Sequence, residues 1–396
     1  MQINKLITII SFLLLANTIS KAQQATTYTD AEIDVHSYQL YLNGSWDELL
    51  EYGKTAIEAK HDFILLRLRM GYAAVMKQNY CEALKHYDNI LKKDKYNEIA
   101  RYYTWYCRQY LNQTEFSVLN ANYFSKEILK KEKIKKYALT SAGIESSYKM
   151  TDLTIRNNAF YNRIKLNARL GWKLNMSQSF VSFNQNINEP ALTSVTDNNS
   201  ININQKEYYN LLTYNLDQHW QIKGAYHFLY TPFNNFIYNN HIGMIGAKYH
   251  GNYINIQADA IAGTLIDTAV QQYDLHLEYY PTGNLNLYGS STLSLQERNN
   301  LHAFNFKQVL GFKVYNKIWF EGNATLGNFS NRFENDALYV YNAIDKNIFK
   351  LGATIYYFPN KNLQLQVGIL SEKRMIYNTN YIFNQNSING GLTWKF

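Results

Sequence analysis

The second half of the sequence alternates large apolar residues with polar residues over segments of ten or more residues. Successive side chains of a β-strand point to opposite faces, so this alternation predicts strands with one apolar and one polar face. About fourteen such segments follow one another from about residue 139 to the end of the chain. The polar face is mostly Asn, Gln, Ser and Thr, as expected for the interior of a barrel.

The links between the segments alternate in length. Tight links near Asn175, Gly251 and Asn360 alternate with long polar ones, which are predicted at 150–159, 186–204, 231–239, 262–269, 297–301, 329–346 and 372–385. Strands of this length suit a tilted crossing of a bilayer, and short turns on one rim with long loops on the other are typical of an outer-membrane β-barrel. The alternative is a large soluble sandwich or lipocalin-like barrel, which gives no reason for the two unlike rims.

The last nine residues, INGGLTWKF, continue the alternation to the end of the sequence. They resemble the terminal strand by which the outer-membrane assembly machinery recognises its substrates. Leu392, Trp394 and Phe396 are therefore expected to form the assembly signal and to face lipid. This strand is predicted to pair with the first strand and close the barrel, which removes unpaired edges from the bilayer.

The first residues predict export. Lys5 precedes a short apolar stretch at 6–16, and Ala22 stands at a small-residue cleavage site. This pattern indicates a signal peptide over residues 1–22 with Gln23 as the new N-terminus; the alternative is a membrane anchor. An exported chain rarely meets nucleic acid, so we discount that partner despite the net charge of +8.

Residues 23–137 are predicted to be helical and repetitive. The stretches GSWDELLEYGKTAIEA and QNYCEALKHYDNILKK align at an offset of 34 residues, and a third copy follows weakly. Paired helices at this period resemble the tetratricopeptide repeat. Gly71, Tyr80, Ala83 and Tyr87 occupy its packing positions, whereas Gly53 replaces an expected aromatic. The resemblance implies a groove for a periplasmic protein partner; the alternative is an unrelated helical hairpin domain.

The two cysteines, Cys81 and Cys107, fall on helices expected to be antiparallel neighbours. Export permits a disulfide between them, and the alternative is two buried thiols. The predicted fold is thus a multidomain α + β chain, with a signal peptide at 1–22, a tetratricopeptide-like helical domain at 23–137 and an antiparallel barrel of about fourteen strands at 138–396.

An even strand number places both ends of a barrel on one rim, so the helical domain and the short turns are predicted to face the periplasm. Aromatic residues with outward parity near that rim are expected to form a girdle in contact with outer-membrane lipid. They are Trp172, Tyr214, Trp220, Tyr279, Tyr357 and Trp394.

The predicted lumen carries separated charges. The second strand has an inward basic row, and later strands carry inward acids. These residues are Arg163, Lys165, Arg169 and Lys173, against Asp259, Asp274, Glu278 and Glu321. Facing walls of opposite charge would orient polar solutes. The alternative is that the charged groups pair with each other and fill the lumen.

Catalytic and metal-binding motifs are missing from the sequence. The nine histidines show no metal-ligand spacing, and no nucleophile motif occurs. His227 and His276 have inward parity but are expected to be hydrogen-bonding filler. We therefore expect no enzyme activity, no metal and no cofactor.

The whole arrangement resembles the YaiO-type outer-membrane barrels with N-terminal repeats, and more distantly the exporters of bacterial exopolysaccharides. The resemblance implies a pore or exporter subunit for polar or saccharide cargo. Tyr288, Trp319 and Tyr356 are candidates for stacking on sugars, but packing at the rim is the favoured explanation for each of them. The alternative function is a non-conducting adaptor whose repeats recruit a periplasmic partner.

Overall fold

The computed structural model describes residues 29–189, 199–233, 236–343, 345–376 and 379–396. The predicted signal peptide, with Ala22 and Gln23, lies outside them. Within them the chain forms a helical domain and then a closed barrel, which confirms the predicted fold class.

Seven α-helices form the first domain. They are α1 (Asp30–Asn43), α2 (Trp46–Glu58), α3 (Ile64–Met76), α4 (Tyr80–Lys93), α5 (Glu98–Tyr110), α6 (Thr114–Ser117) and α7 (Lys126–Lys131), with a 3₁₀ turn at Asn120–Tyr123. Side chains of Thr29, Asn79 and Asn97 cap α1, α4 and α5 by accepting backbone N–H groups. None of the helices in the described residues is long and apolar enough to cross a membrane.

The helices repeat with the period of the sequence. The helices α1, α3 and α5 begin at residues 30, 64 and 98, and α2, α4 and α6 begin at 46, 80 and 114. Gly71 lies beneath the ring of Tyr87, where a Cβ atom would stand 2.7 Å from Tyr87 Cζ. At Gly53, the expected aromatic is missing and the side chain of Met70 fills the space. The first copy of the repeat therefore departs from the expected residue at Gly53, but the space at that position is still filled.

Cys81 and Cys107 are both buried in the core of the helical domain, and neither forms a disulfide. Burial raises the pKa of the Cys81 thiol to about 12 and also raises the pKa of Cys107. The structure thus has the alternative, two buried thiols that pack in the core as apolar side chains.

Fourteen strands close the barrel, as predicted. They are β1 (Tyr137–Thr151), β2 (Arg156–Leu170), β3 (Leu174–Glu189), β4 (Asn199–Asn215), β5 (Trp220–Phe233), β6 (Phe236–His250), β7 (Ile254–Leu265), β8 (Thr268–Tyr279), β9 (Leu287–Arg298), β10 (Leu301–Tyr315), β11 (Ile318–Phe329), β14 (Lys346–Tyr357), β15 (Leu363–Met375) and β16 (Ile382–Lys395). Two further short strands, β12 (Phe333–Glu334) and β13 (Tyr339–Val340), pair with each other.

Closure occurs between β16 and β1, which are antiparallel, with Leu392 opposite Ile144 and Trp394 opposite Ala142. The N–H of Phe396 donates to the carbonyl of Thr140 at 3.0 Å, so pairing continues to the last residue. The predicted role of the last strand in closing the barrel is confirmed.

The outer face carries a band of exposed apolar side chains. Members include Ile144, Ile164, Phe180, Ile245, Leu275, Leu310, Ile355 and Ile369. Such a band, about 25 Å tall in outer-membrane barrels, matches the hydrocarbon core of a bilayer. Further along the strands the outer face becomes polar, as in the hydrogen bond from Lys206 to Ser182 at 2.7 Å. The chain is a transmembrane β-barrel whose strands extend beyond the apolar band on one side.

We call the rim with turns 171–173, 216–219, 251–253, 280–286, 316–317 and 358–362 the helical rim, and the opposite one the distal rim. Three long links predicted at the distal rim, 231–239, 262–269 and 297–301, are largely strand instead. Residues 266–267 and 299–300 are two-residue turns with positive φ. Polar strand residues beyond the bilayer had the composition of loops, so the prediction was wrong there.

Candidate functional site

A hairpin occupies the barrel lumen. It comprises β12, β13 and flanking residues of the link 330–345, and we call residues 331–342 the lumen hairpin. Phe333 is fully buried, and the Gln272 side chain satisfies both its backbone groups: Nε2 donates to the Phe333 carbonyl at 2.8 Å, and Oε1 accepts its N–H at 3.1 Å. Gln296 donates to the Asn331 carbonyl at 2.7 Å. Wall amides thus replace strand partners for the hairpin.

Buried ion pairs hold the same hairpin. Asp336 accepts from Lys223 Nζ at 2.6 Å and from Gln257 Nε2 at 2.7 Å. Glu334 lies 3.1 Å from Lys307 Nζ and 3.2 Å from Lys350 Nζ, with side chains at most 15% exposed. Because these bases come from different strands, the hairpin is tied to several parts of the wall.

The lumen hairpin also contacts His227, Tyr209 and, through Glu145, one end of the predicted basic row. His227 Nδ1 lies 2.8 Å from the Ala337 carbonyl, and Tyr209 donates its hydroxyl to the Asp336 carbonyl at 2.9 Å. Tyr339 donates to Glu145 at 3.0 Å, and Glu145 also pairs with Arg163. His227 therefore has a structural partner on the hairpin.

The predicted acidic residues have local partners in the lumen. Asp259 lies 3.0 Å from His276 Nε2, and Glu278 accepts from Lys248 Nζ at 2.7 Å. Asp274 accepts from Gln272 Nε2 at 2.9 Å, and Glu321 accepts from the Tyr288 hydroxyl at 3.0 Å. These contacts favour the alternative in which charges pair locally and fill the lumen, because inward side chains of adjacent strands meet before they can face the opposite wall.

The basic row is shorter than expected. Lys165 points inward on β2, and Arg169 donates to the Lys135 carbonyl at 2.9 Å at the helical rim. Lys173 is corrected: it lies exposed in the turn 171–173 and donates to the Leu216 carbonyl at 3.3 Å. The strand alternation ends at Gly171, so parity assigned from β2 does not reach Lys173.

The helical domain docks on the helical rim. The Glu115 carbonyl at α6 accepts from Asn175 Nδ2 at 3.2 Å and from Asn215 Nδ2 at 3.0 Å, so α6 lies in the mouth of the barrel. The ring of Phe116 stacks on His250 with centroids 3.9 Å apart. Arg108 donates to the Gln218 carbonyl at 3.0 Å.

A second contact joins α4 to the turn 280–286. The Cys81 N–H donates to the Gly283 carbonyl at 3.0 Å, and Tyr280 packs into the core of the helical domain. Gly283 has φ +71°, and a Cβ there would stand 1.9 Å from Asn79 Oδ1, so only glycine fits this approach.

The predicted girdle is found in part on the outer face. Tyr214, Trp220, Tyr357 and Trp394 are each more than 40% exposed near the helical rim. Tyr279 is partly buried, and its hydroxyl accepts from Gln308 at 2.7 Å. Trp172 is corrected: it lies in the turn 171–173 and packs against a cluster of the helical domain that contains Trp105 and Phe124. The docked domain, not lipid, covers it.

A cavity of about 860 Å³ remains beside the lumen hairpin. It is lined mainly by β1–β3 and β14–β16, and it extends from Ile155 and Ile266 near the distal rim to Tyr356 near the helical rim. Of the other aromatics considered for sugar stacking, Trp319 donates to the Leu285 carbonyl at 2.9 Å and Tyr288 binds Glu321. Among the described residues, no group of three His, Cys, Asp or Glu side chains is arranged to hold a metal ion.

Sequence reasoning left open whether the link 329–346 folds inward. A signal was present, because this link combines Arg332, Glu334 and Asp336 with Phe333 and Tyr341. Charged and aromatic residues together are unlike the Asn- and Ser-rich composition of other predicted links, and they indicate a segment with its own buried partners.

No protein-family model matches the sequence, and no curated protein does. Among solved structures, the toluene transporter TodX of Pseudomonas putida has a TM-score of 0.43 at 8% identity, covering 70% of this chain and 91% of that chain. The NanC porin has 0.36 at 12% identity, covering 65% and 100%. A bacterial polysaccharide outer membrane secretin has 0.38 at 10% identity, covering 65% and 98%. TM-scores this low carry no inference about cargo.

Proposed function

We propose that this protein is an outer-membrane pore for polar solutes, including saccharides. In the conformation described, the lumen hairpin keeps this pore closed. The observation that carries the proposal is the cavity of about 860 Å³, which continues along one wall from the distal rim to Tyr356. The hairpin contacts mainly the opposite wall, through Lys223, Gln272 and Gln296. Its displacement would join the cavity to the rest of the lumen.

The finer parts of the proposal follow from the domain order. The helical domain is a short tetratricopeptide-like array that faces the periplasm, and the chain belongs with the YaiO-type barrels. It acts without enzyme chemistry or a cofactor. The 34-residue spacing of helix starts supports the repeat interpretation.

A row of tyrosine rings supports a binding role for the helical domain. The ring centroids of Tyr41 on α1 and Tyr72 on α3 lie 5.3 Å apart, and those of Tyr72 and Tyr103 on α5 lie 5.7 Å apart. Tyr38 and Tyr110 lie at its two ends and are about half exposed. Tyrosine is enriched at protein interfaces because its ring is apolar and its hydroxyl polar. This row is the surface that we expect a periplasmic protein to contact.

The second candidate function is a non-conducting adaptor. It is favoured by α6, whose Glu115 and Phe116 occupy the barrel mouth and would remain there after the hairpin had moved. An adaptor needs the barrel only as an anchor in lipid for the repeats.

Single-channel recording in planar bilayers tests the pore. In one variant, a flexible Gly-Ser linker replaces residues 331–342; in the control, Tyr381→Ala alters an exposed residue of another distal link. We expect the wild type and the control to show little or no steady conductance, and the linker variant to show frequent large steps. A correctly folded linker variant without conductance would contradict the pore and favour the adaptor.

A further inference from the structure

Four polar side chains of adjacent strands converge on one wall of the cavity. In the barrel register, Ser387 of β16 lies opposite Lys149 of β1, and Ser147 of β1 lies opposite Tyr161 of β2. All four line the cavity. The register brings one ammonium group and three hydroxyl groups to neighbouring inward positions.

The polar atoms of this group have no partners within the described part of the chain. Ser147 Oγ, Tyr161 Oη and Ser387 Oγ are buried and make no hydrogen bond. Lys149 makes no ion pair with any described residue; the carboxylate that attracts it most, Glu372, accepts from Asn347 and Gln385 at 2.9 Å each. Buried polar groups are normally satisfied, so several unsatisfied ones at one place point to a ligand.

Other cations of the cavity differ from Lys149. Lys307 and Lys350 pair with Glu334, and Arg156 pairs with Asp345. Arg374, which also lines the cavity, donates to the side chain of Gln385 at 3.1 Å. Of the described lysines that line the cavity, Lys149 is therefore the one whose charge is not taken up by an ion pair. Its Nζ lies 5.7 Å from the centroid of the Phe183 ring, which adds an apolar surface beside the charge.

We propose that this group, which we call the Lys149 site, binds an acidic saccharide. The ammonium group of Lys149 pairs with a carboxylate of the sugar, and the three hydroxyls bind its hydroxyl groups. An ammonium recognises an oxyanion as a point charge, and hydroxyls that donate and accept suit a polyhydroxylated ligand. The cavity volume lies within the range of small-ligand sites in proteins. The site gives the proposed pore a substrate class.

Titration calorimetry on the full-length protein in detergent tests the site. The probes are a trisaccharide of glucuronic acid, its methyl ester, and sulfate alone. We expect the acid to bind at least about tenfold more tightly than the ester, as one charge-assisted hydrogen bond supplies. Lys149→Gln should remove that difference, Lys149→Arg should keep most of it, and Tyr161→Phe should weaken both sugars several-fold.

The control variant is Lys206→Gln, which removes a lysine from the outer face of β4 and should bind like the wild type. Equal binding of acid and ester, unchanged binding by Lys149→Gln, or absence of binding to folded wild type would each overturn the site. If sulfate bound as tightly as the trisaccharide, the site would recognise an oxyanion alone, and the proposal that its ligand is a saccharide would be wrong. The proposed pore is measured by conductance, so it and the site can fail separately.

Discussion

The lumen hairpin and the helical domain are held in the barrel by different kinds of contact. The lumen hairpin is held by buried charges, chiefly Glu334 between Lys307 and Lys350, and by Asp336 with Lys223. The helical domain is held at the helical rim by hydrogen bonds to backbone carbonyls, including one donated by the Arg108 guanidinium, and by ring packing of Phe116.

The difference matters because the two kinds of contact respond differently to change. A buried ion pair adds little net stability while it is intact, but removing one partner leaves the other charge buried without a counter-ion, which is strongly destabilising. Apolar packing loses free energy in proportion to the area and volume removed. The hairpin is thus suited to release by one change of charge, whereas the helical domain is suited to stay in place.

The largest effect is expected for Glu334→Gln. It leaves Lys307 and Lys350 without their carboxylate and should destabilise the seated hairpin by about 3–5 kcal/mol. Hydrogen–deuterium exchange of residues 331–342 should then rise at least about 100-fold, since each 1.4 kcal/mol is about a factor of ten. Exchange in the turn 280–286 should not change.

The matched control is Glu297→Gln, which removes a carboxylate from β9 on the outer face and should leave the hairpin protected. If Glu334→Gln raised exchange at the helical rim as much as in the hairpin, the hairpin and the docked helical domain would be one cooperative unit. If it exposed neither, the ion pairs would not hold the hairpin.

A smaller effect is expected for Phe116→Ala at the other end. The mutation removes the ring between His250 and the Arg108 guanidinium, whose carbon lies 4.6 Å from the ring centroid. Loss of a buried phenylalanine costs about 3 kcal/mol or more. Exchange should increase in the turn 216–219 while the hairpin stays protected. Tyr96→Ala, which removes a largely exposed ring, should have no such effect, and increased exchange in the hairpin would again indicate coupling.

The sequence predicted whatever depends on local alternation. Fourteen strands and the pairing of β16 with β1 follow from a period of two that continues to Phe396. The same period orients Arg163 into the lumen, but it ends at the turn 171–173, which is why Lys173 and Trp172 lie elsewhere. Parity holds only within one uninterrupted strand.

The parts that could not be predicted depend on contacts distant in sequence. The hairpin folds inward because Asp336 meets Lys223, 113 residues earlier, and Tyr339 meets Glu145, 194 residues earlier. No local pattern contains such pairs. The Lys149 site likewise needs the register between β16 and β1, because Ser387 and Lys149 become neighbours only after closure.

The smallest effect concerns acid, and it should reach the helical domain through Glu82 on α4. Hydrogen bonding from His86, with smaller contributions from Lys85, lowers the pKa of Glu82 to about 2. A carboxylate whose pKa is lowered by folding stabilises the fold above its unfolded pKa of 4.5, and this contribution is lost as the pH falls from there towards 2. The urea midpoint of the helical circular dichroism signal should therefore fall between pH 6 and pH 3. Glu82→Gln should remove most of that fall, whereas Glu32→Gln, at the exposed cap of α1, should retain it. An equal acid response in Glu82→Gln would mean that other groups govern the acid sensitivity of this domain. The hairpin, held by ion pairs, and the helical domain, held by hydrogen bonds and ring packing, would then differ in how they dock, but this difference would not explain the response of the domain to acid.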